Sequence, residues 1–267
     1  MPRPSHIACA LFDLDGVVVD SEPLHARHNL RVFHAMGVPA TYEDCISLAG
    51  KSGVTEIPAI CRAYGHDLSL ADFTAAGAAL GEREAYLDPN LAVYDGLREL
   101  LAWLRAAGVR LGLVSTTVSA RVLTCLNRFL LVGAFDVIVT GDMVTRRKPD
   151  PEPYLTGMRL LGAAPEATVV FEDSATGVAA GKAAGAYVFG VCASEVPQDV
   201  SAADERLDSY VGLSLVPAQA GAAMAAKGAC ASGEATAAQE QRAASVTEGA
   251  AGDESVAGQE RGSARGC

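Results

Sequence analysis

The chain has 267 residues, 50% of them hydrophobic and only 6% aromatic, with a formal net charge of −11. That length supports one large domain, or one core domain carrying an inserted one. The acidic balance, with no basic cluster able to neutralise phosphates, argues against a nucleic acid or an anionic membrane as partner, but leaves room for a small phosphorylated molecule bound locally.

The first residues, Met1-Pro-Arg-Pro-Ser-His, run straight into a short apolar strand without the h-region of a signal peptide, and no apolar run approaches the ~18 residues needed to span a bilayer. The seven cysteines are irregularly spaced and include no CxxC, which fits scattered reduced thiols better than zinc or disulfides. A cytoplasmic protein is the expectation.

The first predicted strand, Ile7–Phe12, ends in Asp13-Leu14-Asp15-Gly16. Residues 21–90 then carry helical patterns over Ser21–Met36, Thr41–Ser47, Val54–Tyr64 and Ser69–Tyr86, with no convincing strand between them. Beyond them the rhythm becomes strand and helix in turn. Strands are predicted at Arg110–Ser115, Phe135–Thr140, Thr168–Phe171 and Tyr187–Val191. The intervening helices show as Leu97, Leu100, Leu101 and Leu104 (with Asp95 as cap and Gly108 as stop), as Val122, Leu123, Leu126 and Leu130, and as Tyr154, Met158 and Leu161.

Such alternation implies an α/β fold, a Rossmann-like parallel sheet with helices on both faces and ligands at the carboxyl ends of the strands. The expected organisation is a core of residues 1–20 and 91–217 and an inserted α-helical cap of 21–90. From 218 to 267 the chain has no aromatic, Leu or Ile, and reads as a disordered tail.

A lone D-x-D pair is a common accident in an acidic chain, and solvated turn carboxylates are its plain reading. Here the pair follows an all-apolar strand, with Gly16 to permit a sharp turn. Other strands end comparably, in Ser115-Thr116, in Gly141-Asp142 followed by Arg146-Arg147-Lys148-Pro149-Asp150-Pro151, and in Glu172-Asp173-Ser174. Acids, hydroxyls and a lysine at successive strand ends are the parts of a metal-assisted phosphoryl-transfer site.

The stretches Phe12-Asp-Leu-Asp-Gly-Val-Val-Val-Asp-Ser-Glu-Pro-Leu-His25, Val114-Ser-Thr, Lys148-Pro-Asp-Pro and Phe171-Glu-Asp-Ser-Ala-Thr-Gly resemble, in order, the four motifs of the haloacid dehalogenase (HAD) superfamily. The match covers about residues 7–195 and points to the subgroup with a small helical cap, which includes sugar-phosphate phosphatases and β-phosphoglucomutase. The resemblance implies a Mg²⁺-dependent phosphatase of small phosphorylated metabolites, such as sugar or polyol phosphates. Asp13 would be the nucleophile and Asp15 the general acid/base. Mg²⁺ would be held by Asp13, the main-chain carbonyl of Asp15 and Asp173, with Glu172 either a further ligand or a partner behind the ligands. Lys148, Ser115 and Thr116 would bind the phosphoryl oxygens.

Weaker expectations surround these. His25 would face the substrate or simply belong to its motif. Lys51 and Ser52, after Gly50, would be specificity contacts or a surface turn. Asp20 and Glu22 fit a cap or hinge role better than catalysis, Asp142 would shape the loop of Lys148, and Arg146 and Arg147 are plain solvated charges. The alternative activity is a β-phosphoglucomutase-like sugar phosphomutase, disfavoured because Gly53 and Val54 stand where a mutase carries a cap arginine. Phosphonate hydrolysis and dehalogenation are disfavoured because both drop the acid at Asp15. The oligomeric state is open, with a monomer the simpler expectation.

Overall fold

The computed structural model describes residues 1–51, 53–80, 85–196 and 198–215. Ser52 and the tail expected at 218–267 lie outside the described residues. Six strands, β1 (Cys9–Phe12), β2 (Arg110–Val114), β3 (Val137–Val139), β4 (Thr168–Glu172), β5 (Tyr187–Val191) and β6 (Glu205–Leu207), form one sheet of order β3-β2-β1-β4-β5-β6. Every pairing is parallel. The chain builds outward from β1 on one side, then crosses back to place β4 on the other. The carboxyl ends of β1 and β4 therefore flank the point where the order reverses, where a crevice opens.

Side chains alternate across this sheet as a period of two requires. Ala10, Phe12, Leu111, Leu113, Phe171 and Phe189 pack on one face with α5 (Leu97–Ala106) and α6 (Ser119–Arg128). Cys9, Leu11, Val114, Val170 and Val188 pack on the other with α7 (Glu152–Leu161) and α8 (Ala175–Ala183). In-register pairing stacks the rings of Phe12 on Phe171 at 4.4 Å and of Phe171 on Phe189 at 5.0 Å. Such a stack fixes register, because a one-residue slip would turn every ring to the opposite face.

The segment between β1 and β2 is helical: α1 (Glu22–Ala35), α2 (Tyr42–Ile46), α3 (Gly53–Ala63) and α4 (Leu70–Ala79). Capping boxes start two of these helices, Thr41 with Asp44 and Ser69 with Asp72. The segment has its own small core of Val32, Phe33, Val38, Cys45, Ile57, Cys61 and Phe73. Where the chain leaves the sheet and returns, the two crossings pair: Val19 bridges Val93, Asp20 N–H donates to Ala92 O at 3.1 Å, and Tyr94 N–H donates to Val18 O at 3.3 Å. No helix among the described residues is long and apolar enough to cross a membrane.

Three expectations are corrected, and one strand is added. The helix predicted to reach Tyr86 ends at Ala79, and Tyr86 sits in a separate 3-10 turn, Ala85–Leu87. Asp95 does not cap α5. Gly96 does so in a left-handed conformation (φ +80), where a Cβ would stand 2.7 Å from Val211 N. Leu130 lies beyond the end of α6, in a left-handed conformation that closes the helix, and is 88% exposed. Strand β6 carries too short an apolar pattern to be seen in sequence; it exists because the edge of β5 offers a partner.

Candidate active site

Each motif delivers its side chain to the same sheet edge. Asp13 follows β1, its N–H donating to Phe171 O at 3.0 Å, so the ends of β1 and β4 are stitched together beneath the carboxyl group. Gly16 turns the chain with φ +69, and a Cβ there would stand 1.8 Å from Asp173 Oδ2. Glycine is thus required twice, for the backbone and for the approach of the second acid. Ser115, buried at the end of β2, accepts the N–H of Thr117 at 3.1 Å.

Lys148 arrives on the loop between β3 and α7. Glu152 holds that loop by accepting the N–H groups of Thr145 (2.7 Å) and Arg146 (3.0 Å). Arg146 itself is exposed and paired with Glu152 and Asp150, as solvated charges would be. Asp142 accepts from Thr140 Oγ1, Ser119 N and Ser119 Oγ, which hold its carboxyl down at about 2 and tie the loop to the start of α6.

The Lys148 side chain, only 4% exposed, donates to Asp13 Oδ1 at 2.9 Å, to Val114 O at 2.9 Å and to Glu172 Oε1. Glu172 also accepts from Tyr154 OH at Oε1 and from Ser174 Oγ at Oε2, and the Lys148 ammonium lies 4.9 Å from the Tyr154 ring centre. A Cβ on Gly177 of α8 would stand 1.9 Å from the Glu172 carboxyl carbon, so the helix start can close over it only with glycine there.

Ligand oxygens from Asp13, Glu172 and Asp173 lie within 4.8 Å of one another. Burial pushes Asp13 up to about 7 against the pull of Lys148, with Glu172 and Asp15 adding repulsion. Burial, with Glu172 and Asp13 beside it, raises Asp173 well above the carboxylate range. Lys148 pairs with two of these three carboxyl groups, Asp13 and Glu172, and leaves Asp173 without a cation beside it among the described residues. An all-oxygen donor set with surplus negative charge suits a hard divalent cation such as Mg²⁺.

Asp15 stands apart from that cluster. It accepts from Ser21 Oγ at 2.5 Å, from Tyr86 OH at 2.8 Å and from Thr117 Oγ1 at 3.3 Å, and His25 Nε2 is 3.8 Å away. Burial opposes its ionisation, yet the nearby His25 and hydrogen bonds from Ser21 and Tyr86 hold Asp15 below its ordinary value. His25 is raised in turn, since Asp15 outweighs its burial. Ser21 and Tyr86 belong to the two crossings, so the helical segment holds this carboxyl from both of its attachments.

A cavity of about 210 Å³ continues from His25 between α1 and the loop after α2. Glu22, His25 and Asn29 line it from one face of α1, with Ile46, Leu48, Gly50 and Val196 among the rest. Glu22 is pushed up to about 7 by burial and by repulsion from Asp15. Of the remaining candidates, Thr116 and Lys51 are exposed, and Asp20 accepts from Tyr94 OH and Ser194 Oγ, a bracing role at the crossing.

Tyr154, Tyr86, Ser21, Thr117 and Gln198 were not legible as site residues. Tyr154 read as a core position on the stripe of α7. The available signal was its hydroxyl, which a buried tyrosine must satisfy.

The family model for haloacid dehalogenase-like hydrolases matches residues 10–191. The chain is similar to a phosphorylated carbohydrates phosphatase of Thermotoga maritima, 35% identical over 175 residues, covering 66% of this chain and 80% of that protein. It is likewise similar to hexitol phosphatase A of Escherichia coli, 35% identical over 181 residues, covering 68% and 81%. Among solved structures it is similar to a variant of CbbY from Rhodobacter sphaeroides in complex with xylulose-(1,5)bisphosphate. That likeness has a TM-score of 0.62 and 29% identity, covering 79% of this chain and 100% of that one.

Proposed function

The chain belongs to the haloacid dehalogenase-like hydrolases and is a phosphomonoester hydrolase, and we propose that it is a Mg²⁺-dependent phosphatase of sugar or polyol phosphates working through an aspartyl-phosphate on Asp13. The observation that carries this reading is the contact of Lys148 with Asp13 and Glu172, inside an acidic cluster at the reversal point of the sheet. Residues 21–90 act as the cap, leaving 1–20 and 91–217 as the core.

Asp13 attacks phosphorus, and the bond from phosphorus to the leaving oxygen breaks. Asp15, supplied with a proton by His25 beside it, passes that proton to the leaving oxygen. Asp15 then takes a proton from water, which attacks phosphorus and releases inorganic phosphate and the Asp13 carboxylate. Lys148 and Ser115 bind the phosphoryl oxygens, with Thr116 on the same loop, while Glu172 and Tyr154 hold Lys148 in place. Mg²⁺, held by Asp13, Asp173 and the Asp15 carbonyl, would neutralise the oxygens that gain charge.

The leaving group occupies the cavity beyond His25. Among the described residues lining it there is no Lys or Arg, and Glu22 contributes a carboxyl. That lining suits hydroxyl groups and not a second phosphate, which favours the phosphatase over the phosphomutase. The test is a panel of phosphorylated metabolites incubated with Mg²⁺ and assayed for phosphate. Sugar or polyol phosphates should be hydrolysed and Asp13→Asn should be inactive; full activity in that variant would refute the proposal.

A further inference from the structure

We propose that Gln198 is a positioning residue that ties the loop at Gly50 to the carboxyl of Asp173, coupling the seating of the helical segment to cation affinity. Gln198 lies between β5 and β6, on the same face of the site as Gly50. Its Nε2 donates to Asp173 Oδ2 at 2.6 Å. The amide nitrogen faces Asp173 and the amide oxygen points towards Gly50.

A Cβ on Gly50 would be 2.1 Å from Gln198 Oε1, 3.3 Å from Gln198 Cδ and 3.3 Å from the Cβ of Ser174. One amide group is therefore held between a loop of the helical segment and a carboxyl of the acidic cluster. Asp173 Oδ2 is also approached closely by Gly16, where a Cβ would stand at 1.8 Å. Gly16 and Gln198 thus both crowd the same carboxyl oxygen, and Gly50 limits how far Gln198 can withdraw. Partners that orient a ligand in this way typically change metal affinity about 10–100-fold. The assignment rests on the reading of Asp173 as a cation ligand.

The experiment is titration of the full chain with Mn²⁺, reading free Mn²⁺ by electron paramagnetic resonance, alongside thermal unfolding in EDTA to establish that each variant is folded. Gln198→Leu should weaken Mn²⁺ binding about tenfold or more. Gly50→Ala should weaken it as well, because the new methyl displaces the amide. At φ +67 alanine also strains the backbone, so the double variant decides. In the Gln198→Leu background Gly50→Ala should add less than about twofold, since the two act through one contact.

Wild-type affinity in folded Gln198→Leu, or full additivity in the double variant, overturns the assignment. Asp173→Asn separates the two levels. If it abolishes binding while Gln198→Leu does not weaken it, only the role of Gln198 fails. If Asp173→Asn still binds Mn²⁺ normally, the cation reading fails with it.

Discussion

The sheet edge and the cavity beneath α1 solve different problems with different materials. At the edge, charged groups are buried and cross-linked: Lys148 contacts Asp13, Glu172 and the Val114 carbonyl, and Glu172 is held in turn by Tyr154 and Ser174. The cavity has a polar wall of Glu22, His25 and Asn29 from a single face of α1, and apolar side chains of α2 and the loop after it, with Val196, form the rest. A buried charge network tolerates no missing member, because the partner left behind is unpaired in a low dielectric. A polar face on one helix can change without disturbing the rest. On the proposed function, the cross-linked acids at the sheet edge would carry the chemistry and the wall of the cavity would set selectivity.

The sharpest way to break that contrast is Lys148→Met. Activity should fall about 10³-fold, as expected for loss of a group that binds developing charge, and the unfolding midpoint should drop because Asp13 and Glu172 lose their common cation. Kinetics and calorimetry on one preparation check both effects; a variant that loses activity alone would show that the network is not structural.

A smaller effect belongs to the cavity. Asn29→Ala should change the ratio of kcat/KM between two sugar phosphates by about tenfold. It should leave turnover of p-nitrophenyl phosphate, whose leaving group makes few polar contacts, within about twofold. Equal losses on every substrate would place Asn29 in the general framework instead.

The smallest effect is on stability. Asp13 and Glu22 are both raised to about 7, and Asp173 is raised too. In the cation-free protein the folded state keeps protons that the unfolded chain releases in the ordinary carboxylate range near 4. Their contribution to stability is complete below that range and is lost as pH rises towards 7. Mg²⁺ must displace the protons on Asp13 and Asp173, so its stabilising effect grows over the same window. Thermal unfolding should show a Mg²⁺-induced rise of about 5 °C at pH 7.5 and less than half of that at pH 5. A rise independent of pH would contradict the titration of these acids.

The contrast between the regions also separates what the sequence displays from what it hides. Asp13, Ser115 and Asp173 each follow directly on an apolar strand, so a strand signal and a residue type locate them together. Lys148 lies nine residues beyond β3, and its motif identifies it more than its position does. Tyr86 and Gln198 carry no such signal. Tyr86 reaches Asp15 because the chain returns from the helices beside Val19, and Gln198 reaches Asp173 because β5 pairs with β4. Both contacts depend on which elements become neighbours, and no local pattern encodes that. Leu130 misleads for a related reason: it continues the apolar spacing of α6, but the helix ends two residues before it.

Covalent attack by Asp13 is the central claim, and Asp15→Asn with p-nitrophenyl phosphate tests it most directly. Nitrophenolate leaves without a proton, whereas hydrolysis of the intermediate needs the base that this variant lacks. A burst of about one nitrophenol per chain should appear, with mass spectrometry of the acid-quenched protein placing one phosphoryl group on Asp13. Release of nitrophenol with Asp13 unmodified would contradict the assignment.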